Sequence, residues 1–271
     1  ARIDFLGISD PDERANADVD IAADVVPGVA GEVRAATTVC TTFLCNLAEG
    51  PCSSTPLRQA LNWATDVPSL ISSAVGGAAV PVAGPWTERH LGFDPGLEPY
   101  GFNLDKARSL IELSGQEPVV TLDVPARLPD ESRHLAARLT EMWSMAGVHV
   151  STRVHEDRPA YALRVRDGHI HDAACFDSSP SSTFRILWEK FHSGHRGPWW
   201  QGYTNPKLDA LVDTARATPD VRARGELYRQ AFHLLNADAP WIFLYSPARI
   251  FSVSGDLRGW RPSIDGFAIF H

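Results

Sequence analysis

The stretch from residue 202 to residue 246 constrains the fold more than any other part of this sequence. It opens with Asn205, a residue type that caps helix N-termini, and Pro206, whose missing N–H costs nothing at the first helical position. Apolar residues then recur at helical spacing over the next three turns. These features together predict a helix over residues 206–217.

A second helix and a buried strand follow in the same stretch. Thr218, Pro219 and Asp220 interrupt the first helix, and the apolar spacing beyond them predicts a helix over residues 221–235. Residues 241–245 form a continuous apolar run with a proline on either side. Such a run suits a strand that is covered on both faces.

Strands and helices alternate through the middle of the chain. The pattern predicts strands at residues 119–122, 148–154 and 171–176, with helices at residues 131–146 and 159–166 between them. This alternation argues for a largely parallel sheet wrapped by helices. We therefore expect an α/β fold with a mainly parallel, mixed-edge sheet and helices on both of its faces.

Shorter elements are expected upstream of this alternating region. Residues 37–46 are rich in β-branched and aromatic side chains and predict a strand, whereas residues 57–63 and 68–75 predict helices. Residues 78–103 contain so many prolines and glycines that no regular structure is expected there. Two further strands are expected at residues 3–8 and 19–22.

Composition and charge narrow the class of function. The 271 residues are 44% hydrophobic, which is enough to bury a substantial core. The net charge of −8, without clustered Lys or Arg, argues against a nucleic-acid partner. The apolar runs are far shorter than the roughly 20 residues that span a bilayer. No nucleophile-elbow, zinc-protease or phosphate-loop pattern occurs, so the sequence predicts neither an enzyme nor a cofactor.

Several separated motifs resemble one family of proteins. Residues 202–211 carry Gly-Tyr-Thr-Asn-Pro and a spaced leucine, residues 224–235 form an Arg- and Tyr-rich helix, and residues 239–245 read Ala-Pro-x-Ile-x-Leu-Tyr. Far upstream, residues 56–66 read PLRQALNWATD, and residues 100–107 read YGFNLDKA. In this order, the motifs resemble the family 5 extracellular solute-binding proteins, which deliver peptides, and sometimes nickel or oligosaccharides, to ABC importers.

The resemblance implies a fold, a location and partners. Residues 1–247 are expected to form the second, C-terminal lobe of a class II periplasmic-binding-protein-like fold, with residues 248–271 returning toward a first lobe of the same protein. The implied role is the substrate-binding component of an ABC importer for peptides or similar small solutes, working with the importer's membrane subunits. The implied location is extracellular or periplasmic, as a lipoprotein at the outer face of the cytoplasmic membrane. A non-transport sensor or interaction domain that reuses the fold is the alternative.

Candidate ligand-contacting residues are expected to face one open surface. Ligands of open α/β sheets occupy the crevice beyond the carboxyl ends of the strands, which points to the loop at residues 177–182. In the resembling family an aspartate near this loop takes the ligand's ammonium group, and a planar arginine suits a carboxylate. A polar surface loop, core packing of the tryptophans and a surface ion pair of the arginine are the alternatives. The candidates are Asn46, Phe176, Asp177, Ser178, Ser179, Trp199, Trp200 and Arg127.

Four cysteines, Cys40, Cys45, Cys52 and Cys175, lack the paired spacing of a zinc site. Cys45 and Cys52 flank a turn, and the short loop between them could bring their Cβ atoms within bridging range. The alternative is buried free thiols, which pack as small hydrophobic groups. Because the resemblance implies an extracellular location, a Cys45–Cys52 disulfide is the leading expectation and Cys40–Cys175 is the next.

Overall fold

The computed structural model describes residues 13, 19–127, 129–257 and 259–263. Nine β-strands occur within these residues, and they build two separate sheets. The strands are β1 (Ile21–Ala23), β2 (Glu32–Ala35), β3 (Cys40–Cys45), β4 (Ala79–Pro81), β5 (Val119–Pro125), β6 (His149–His155), β7 (Ala173–Ser178), β8 (Trp241–Pro247) and β9 (Arg249–Val253).

Eight α-helices have both ends in the described part of the chain, and six of them match the helices predicted above to within a few residues. None of the helices among these described residues is both long enough and apolar enough to cross a bilayer. The helices are α1 (Thr55–Trp63), α2 (Val67–Val75), α3 (Leu104–Ser114), α4 (Ser132–Met145), α5 (Arg158–Arg166), α6 (Thr183–Lys190), α7 (Pro206–Ala217) and α8 (Val221–Asp238).

Six strands form the central sheet in the order β4-β8-β3-β7-β5-β6. The pairs β7-β5 and β5-β6 are parallel, whereas β4-β8, β8-β3 and β3-β7 are antiparallel. The predicted α/β class and mixed sheet are confirmed, but the expectation of a mainly parallel sheet is wrong. The parallel pairs come from the alternating region. There, a helix after each strand brings the chain back to the end of the sheet where that strand began, so the next strand runs in the same direction. The other strands come from distant segments, so no crossover helix fixes their direction.

Helices cover both faces of the central sheet, as predicted. On the first face, Leu61 of α1 and Leu139 of α4 share a buried cluster with Leu122 of β5. On the second face, Phe232 of α8 shares a buried cluster with Phe243 of β8. The inner strands β3, β7 and β8 therefore contribute alternate side chains to two cores on opposite sides of one sheet.

The segment that most constrained the prediction folds for the predicted reason. The side chain of Asn205 accepts hydrogen bonds from the backbone N–H groups of Lys207 at 3.0 Å and Leu208 at 3.3 Å, which caps α7. At the end of α8, Ala239 adopts a left-handed φ of 44° and donates its N–H to the Leu235 carbonyl at 3.0 Å. The chain then passes directly into the buried strand β8.

A second, three-stranded antiparallel sheet has the order β1-β9-β2. Its central strand is β9, in which Ile250 and Phe251 are buried. Part of the segment 248–271 is therefore tied to β1 and β2. The strand expected at residues 3–8 and residues 264–271 lie outside the described residues, and the division of the chain after residue 247 stays a prediction.

All four cysteines are buried free thiols, so neither the Cys45–Cys52 nor the Cys40–Cys175 disulfide is formed. Cys40 and Cys175 belong to cores on opposite faces of the sheet, which explains why they are not partners. Cys45 and Cys52 are neighbours in the core of the first face, where they pack as small apolar groups. A hydrogen bond with Cys45 and burial raise the pKa of Cys52.

Candidate functional site

The two ends of the central sheet differ in chemistry. We call one end of the sheet the open end. There, Cys40 at the start of β3 lies opposite Ser178 at the end of β7, and β8 ends at Pro247. At the closed end, Cys45 lies opposite Ala173. Because β5 and β6 run parallel to β7, their carboxyl ends also lie at the open end.

A cavity of about 620 Å³ lies at the open end. Three segments surround it: the residues before β3, the loop after β7 and the junction between β8 and β9. Its volume is within the range of small-molecule sites. Four hydroxyl-bearing side chains line it, those of Thr37, Thr38, Ser179 and Ser181, together with Asp24, Val39, Pro247, Ala248 and Arg249.

Hydrogen bonds hold the frame of this cavity. The Oγ1 of Thr37 donates to the Pro247 carbonyl at 2.8 Å, and it accepts the Val39 backbone N–H at 3.3 Å. At the rim, the Nε of Arg249 lies 2.7 Å from a carboxylate oxygen of Asp24. The first of these bonds thus holds the segment before β3 against β8. The Asp24–Arg249 pair places one residue of the three-stranded sheet, and one next to it, at the rim of the same cavity.

Asp177 lies in β7 and not in the loop where the sequence analysis placed it. It is opposite Thr41, whose Oγ1 donates to the Asp177 carboxylate at 2.9 Å. Burial raises the pKa of Asp177 to about 6, and the nearby Glu131 adds to the rise, while the Thr41 hydrogen bond and Arg158 oppose it. A carboxylate that is incompletely compensated in this way attracts a further cation.

Ser178 and Ser179 continue the chain past Asp177 at the open end. Ser178 is 1% exposed, and its Oγ has no hydrogen-bond partner in the described structure. A buried hydroxyl without a partner carries a desolvation penalty. Ser179 is exposed and lines the cavity directly.

Phe176 faces the second core, on the opposite side of β7 from Asp177. The centroid of its ring lies 4.5 Å from that of Trp199, and the Arg158 guanidinium lies 4.9 Å from the Phe176 ring. Trp200 is held separately, since its Nε1 donates to the Tyr203 carbonyl at 2.8 Å. The structure therefore joins Trp199 to Phe176 and ties Trp200 to the segment before α7.

Asn46 lies at the closed end, one residue beyond β3. Its amide donates to the Ile170 carbonyl at 3.4 Å and accepts the Ala48 N–H at 3.1 Å. The expectation that it shares one surface with Asp177 is wrong, because the antiparallel β3-β7 pairing puts the two residues at opposite sheet ends. Arg127, by contrast, is exposed two residues beyond β5, at the open end.

A buried carboxylate within the sheet was not among the residues predicted from the sequence. The side chain of Asp123 in β5 is 2% exposed. It accepts hydrogen bonds from Nε2 of His155 at 2.8 Å and from the backbone N–H of His171 at 2.7 Å. Its sequence signal is an acidic residue between Leu122 and Val124 in an apolar strand. These bonds fasten β6 and the start of β7 to β5.

Metal-ligating residue types do not gather into a centre in the part of the chain that the structure describes. Groups of three or more His, Cys, Asp or Glu side chains placed to hold an ion are absent there. The cluster around Asp123 thus has a structural explanation in its hydrogen bonds to His155 and His171.

The closed end is organised around a second residue that the sequence analysis missed, Arg58 of α1. This side chain is buried, and its guanidinium donates five hydrogen bonds of 2.8 to 3.0 Å. Four go to carbonyls, those of Cys52, Ser53, Asp238 and Ala239, and one goes to the Thr55 hydroxyl. At the closed end, every described N–H group of the Arg58 side chain therefore has an acceptor within the protein.

Comparison with known proteins gives a consistent family assignment. Residues 2–184 match the family described as bacterial extracellular solute-binding proteins, family 5. The chain is 24% identical over 225 residues to the dipeptide-binding protein of Escherichia coli, covering 79% of this chain and 42% of that protein. It is 22% identical over 241 residues to heme-binding protein A of Haemophilus influenzae, covering 83% and 42% respectively. The chain thus spans less than half of these relatives.

Solved structures share the fold over nearly the whole chain. NikA from Brucella suis, in complex with Fe(III)-EDTA, superposes with a TM-score of 0.80 at 18% identity, covering 96% of this chain and 59% of that one. DppA from Helicobacter pylori, in complex with the peptide STSA, gives a TM-score of 0.76 at 19% identity, covering 89% and 50%. At these identities the likeness concerns the fold.

Proposed function

Because this chain belongs to the family 5 bacterial extracellular solute-binding proteins, we propose that it forms part of the substrate-binding component of an ABC importer for peptides or similar small solutes. The observation that carries the proposal is the cavity of about 620 Å³ at the open end of the sheet. Open α/β sheets place their ligands beyond the carboxyl ends of strands, and β5, β6, β7 and β8 all finish at this end.

The proposed solute lies between two lobes. Residues 1–247 supply one wall, residues 248–271 lead toward a first lobe of the same protein, and that first lobe supplies the opposite wall. A small solute bound in a cleft normally loses most of its exposed surface, which a single wall does not achieve. Support for this arrangement comes from the relatives, of which this chain matches 42% of the length.

Specific groups at the open end suit the termini of a peptide. The carboxylate of Asp177 is proposed to accept the solute's ammonium group, because burial has raised its pKa and a cation would relieve that cost. Arg127, exposed beyond β5, suits the carboxylate at the other terminus. The hydroxyls of Ser178 and Ser179 are proposed to bond the solute's backbone.

The proposed partners follow from the family. The solute-loaded protein would dock on the membrane subunits of the importer at the outer face of the cytoplasmic membrane, held there by a lipid anchor. The proposal assigns no catalytic step and no cofactor, since the family is one of solute-binding proteins.

Calorimetric titration with a mixed dipeptide and tripeptide library tests the two-lobe arrangement. We expect a Kd of about 1 μM for the protein that contains both lobes, and binding at least ~100-fold weaker for the 271-residue chain alone. Equal affinity for both forms would overturn the two-lobe part of the proposal. Absence of peptide binding by the two-lobe form would overturn the peptide class.

The role of Asp177 has its own test. N-acetylated peptides, which lack the ammonium group, should bind the two-lobe protein about tenfold more weakly than free peptides. In Asp177→Asn this preference should vanish, whereas the matched surface variant Asp105→Asn, whose side chain is 96% exposed, should keep it. A preference that survives Asp177→Asn would refute the assignment.

A further inference from the structure

A second cavity, of about 520 Å³, lies beside the first turn of α6. It is enclosed by that turn, the end of α7, the start of α8 and the irregular segment around residues 89–91. It shares Ser181 with the cavity at the open end, but its other lining residues are different. Apart from Ser181, these residues do not line the cavity of the proposed peptide site.

Three guanidinium groups line this second cavity, those of Arg89, Arg216 and Arg224. Among its described lining residues there is no Asp or Glu. The described contacts of two of the arginines are to neutral groups: Arg224 donates to the Thr218 carbonyl at 3.1 Å, and Arg216 lies 5.0 Å from the centroid of Trp188. The cavity therefore carries a concentrated positive charge.

Arg89 shows the clearest sign of an absent partner. Its Nε is buried and has no hydrogen-bond partner among the described residues. The segment that carries it is fastened in place, because Nε2 of His90 contacts the Pro180 carbonyl at 2.9 Å and Thr183 Oγ1 donates to the Leu91 carbonyl at 2.9 Å. A buried guanidinium N–H held in a fixed position without an acceptor is costly, so an acceptor from a ligand would be favoured.

The first turn of α6 adds further donors on the same side. Ser182 caps this helix, and the N–H groups at its first positions have no partner within the helix. The helix dipole places partial positive charge there, which favours an anion. The arginines and the helix terminus thus point to the same type of ligand.

The cavity is larger than a simple oxyanion needs, and part of its wall is apolar. Leu91, Phe184 and Tyr228 contribute this part. We propose that the cavity binds a small organic anion, whose phosphate or carboxylate group contacts Arg89, Arg216 and the first turn of α6 while its organic part packs on Phe184 and Tyr228. This site is distinct from the proposed peptide site and does not depend on it.

Phenyl phosphate is a suitable probe, because it joins an oxyanion to an aromatic ring. Calorimetric titration of the natural protein at low ionic strength should give a Kd below about 1 mM, at least ~10-fold tighter than for inorganic phosphate. Benzoate, measured in the same way, shows whether the site prefers phosphate or carboxylate. Phenol, which lacks the anion, should give no measurable heat. Equal binding of phenol and phenyl phosphate would overturn the proposal.

Arginine variants locate the binding. Arg89→Met should weaken phenyl phosphate binding by about tenfold or more, since it removes a charge-assisted contact. Arg216→Met should weaken it by a smaller factor. The matched control Arg108→Met changes a half-exposed arginine remote from the cavity lining, and it should leave the affinity unchanged. The melting temperature of each variant confirms folding.

Two results would refute this assignment. Unchanged affinity in both Arg89→Met and Arg216→Met, with normal melting temperatures, would show that the anion binds elsewhere. Loss of phenyl phosphate binding when the protein is saturated with peptide would place the anion in the cavity at the open end. If peptide binding itself fails while phenyl phosphate binding persists, the proposed function is wrong and the anion site stands.

Discussion

The closed and open ends of the central sheet contain similar polar groups used in opposite ways. At the closed end, Arg58 is buried with five hydrogen bonds, and Asn46 bonds Ile170 and Ala48. At the open end, the Ser178 hydroxyl is buried without a partner, and burial raises the pKa of Asp177. Hydrogen bonds saturate the polar groups at the closed end, whereas those at the open end are incompletely compensated.

This contrast indicates where stability and binding are separable. Saturated buried contacts make the closed end intolerant of substitution, because each lost donor leaves a carbonyl unsatisfied. Buried polar groups that lack hydrogen-bond partners lower the stability of the folded state. Proteins retain such groups where the surrounding structure holds them in place, and this is typical of binding sites. Substitutions at the two ends should therefore have opposite signs in stability.

The largest effect is expected for Arg58→Met at the closed end. The substitution leaves four backbone carbonyls and the Thr55 hydroxyl without their donor, so the free energy of unfolding should fall by about 3–5 kcal/mol. Urea denaturation measures the change. Arg133→Met, in which the replaced side chain is 52% exposed, is the matched control and should change stability by less than ~0.5 kcal/mol. Similar decreases in the free energy of unfolding of the two variants would show that the hydrogen bonds of Arg58 do not stabilise the closed end.

Asp177→Asn at the open end should stabilise the protein near pH 7, by about 1–3 kcal/mol. The folded pKa of about 6 lies above the ordinary value of 3.8, so the folded state binds more protons between these pH values. Wild-type stability attributable to Asp177 therefore falls as pH rises from about 4 to about 6. The difference between variant and wild type should grow over that window and vanish below it. A constant difference from pH 3 to pH 7 would contradict this account.

A pair of serines gives a finer comparison. Ser178→Ala removes a buried hydroxyl that has no partner, together with its desolvation penalty, so the free energy of unfolding should rise by about 1 kcal/mol while peptide affinity falls. Ser132→Ala removes an equally buried hydroxyl that donates to the Pro125 carbonyl at 2.6 Å, and it should cost about 1–2 kcal/mol. Equal costs would show that Ser178 has a partner in solution.

The smallest effect is expected from reductant. Because all four cysteines are free thiols, dithiothreitol should leave the melting temperature unchanged. Thiol-reactive dye should label none of them in the native protein and all four after denaturation without reductant. Burial, which raises the pKa of Cys40 and Cys175, accounts for the native protection. A lower melting temperature in reductant would indicate a disulfide in solution.

Local signals predicted the helices and the strand cores well. Asn205 and Pro206 placed the start of α7 because capping and proline geometry act within one turn. The end of β7 was not predictable in the same way. Asp177 and Ser178 read as loop residues, yet they continue the strand because Thr41 and Cys40 pair with them from a segment more than a hundred residues away.

Site residues were predicted less well, because their grouping depends on strand direction. Asn46 ends one strand and Asp177 ends another, and only the antiparallel pairing reveals that these ends are opposite. Arg58 lies in a motif that was recognised, but its role depends on carbonyls contributed by Asp238 and Ala239. Periodicity carries no information about such long-range contacts.

The two outer strands of the central sheet have a consequence for aggregation. Strand β4 has only three residues and ends at Pro81, which lacks a backbone N–H for a further strand. Strand β6 is longer and largely exposed, but His149, Arg153 and His155 supply charged or polar side chains along it. Short length, proline and charge are features that discourage edge-to-edge association. Two copies of this chain should therefore resist joining their sheets into a continuous intermolecular one, even at high protein concentration.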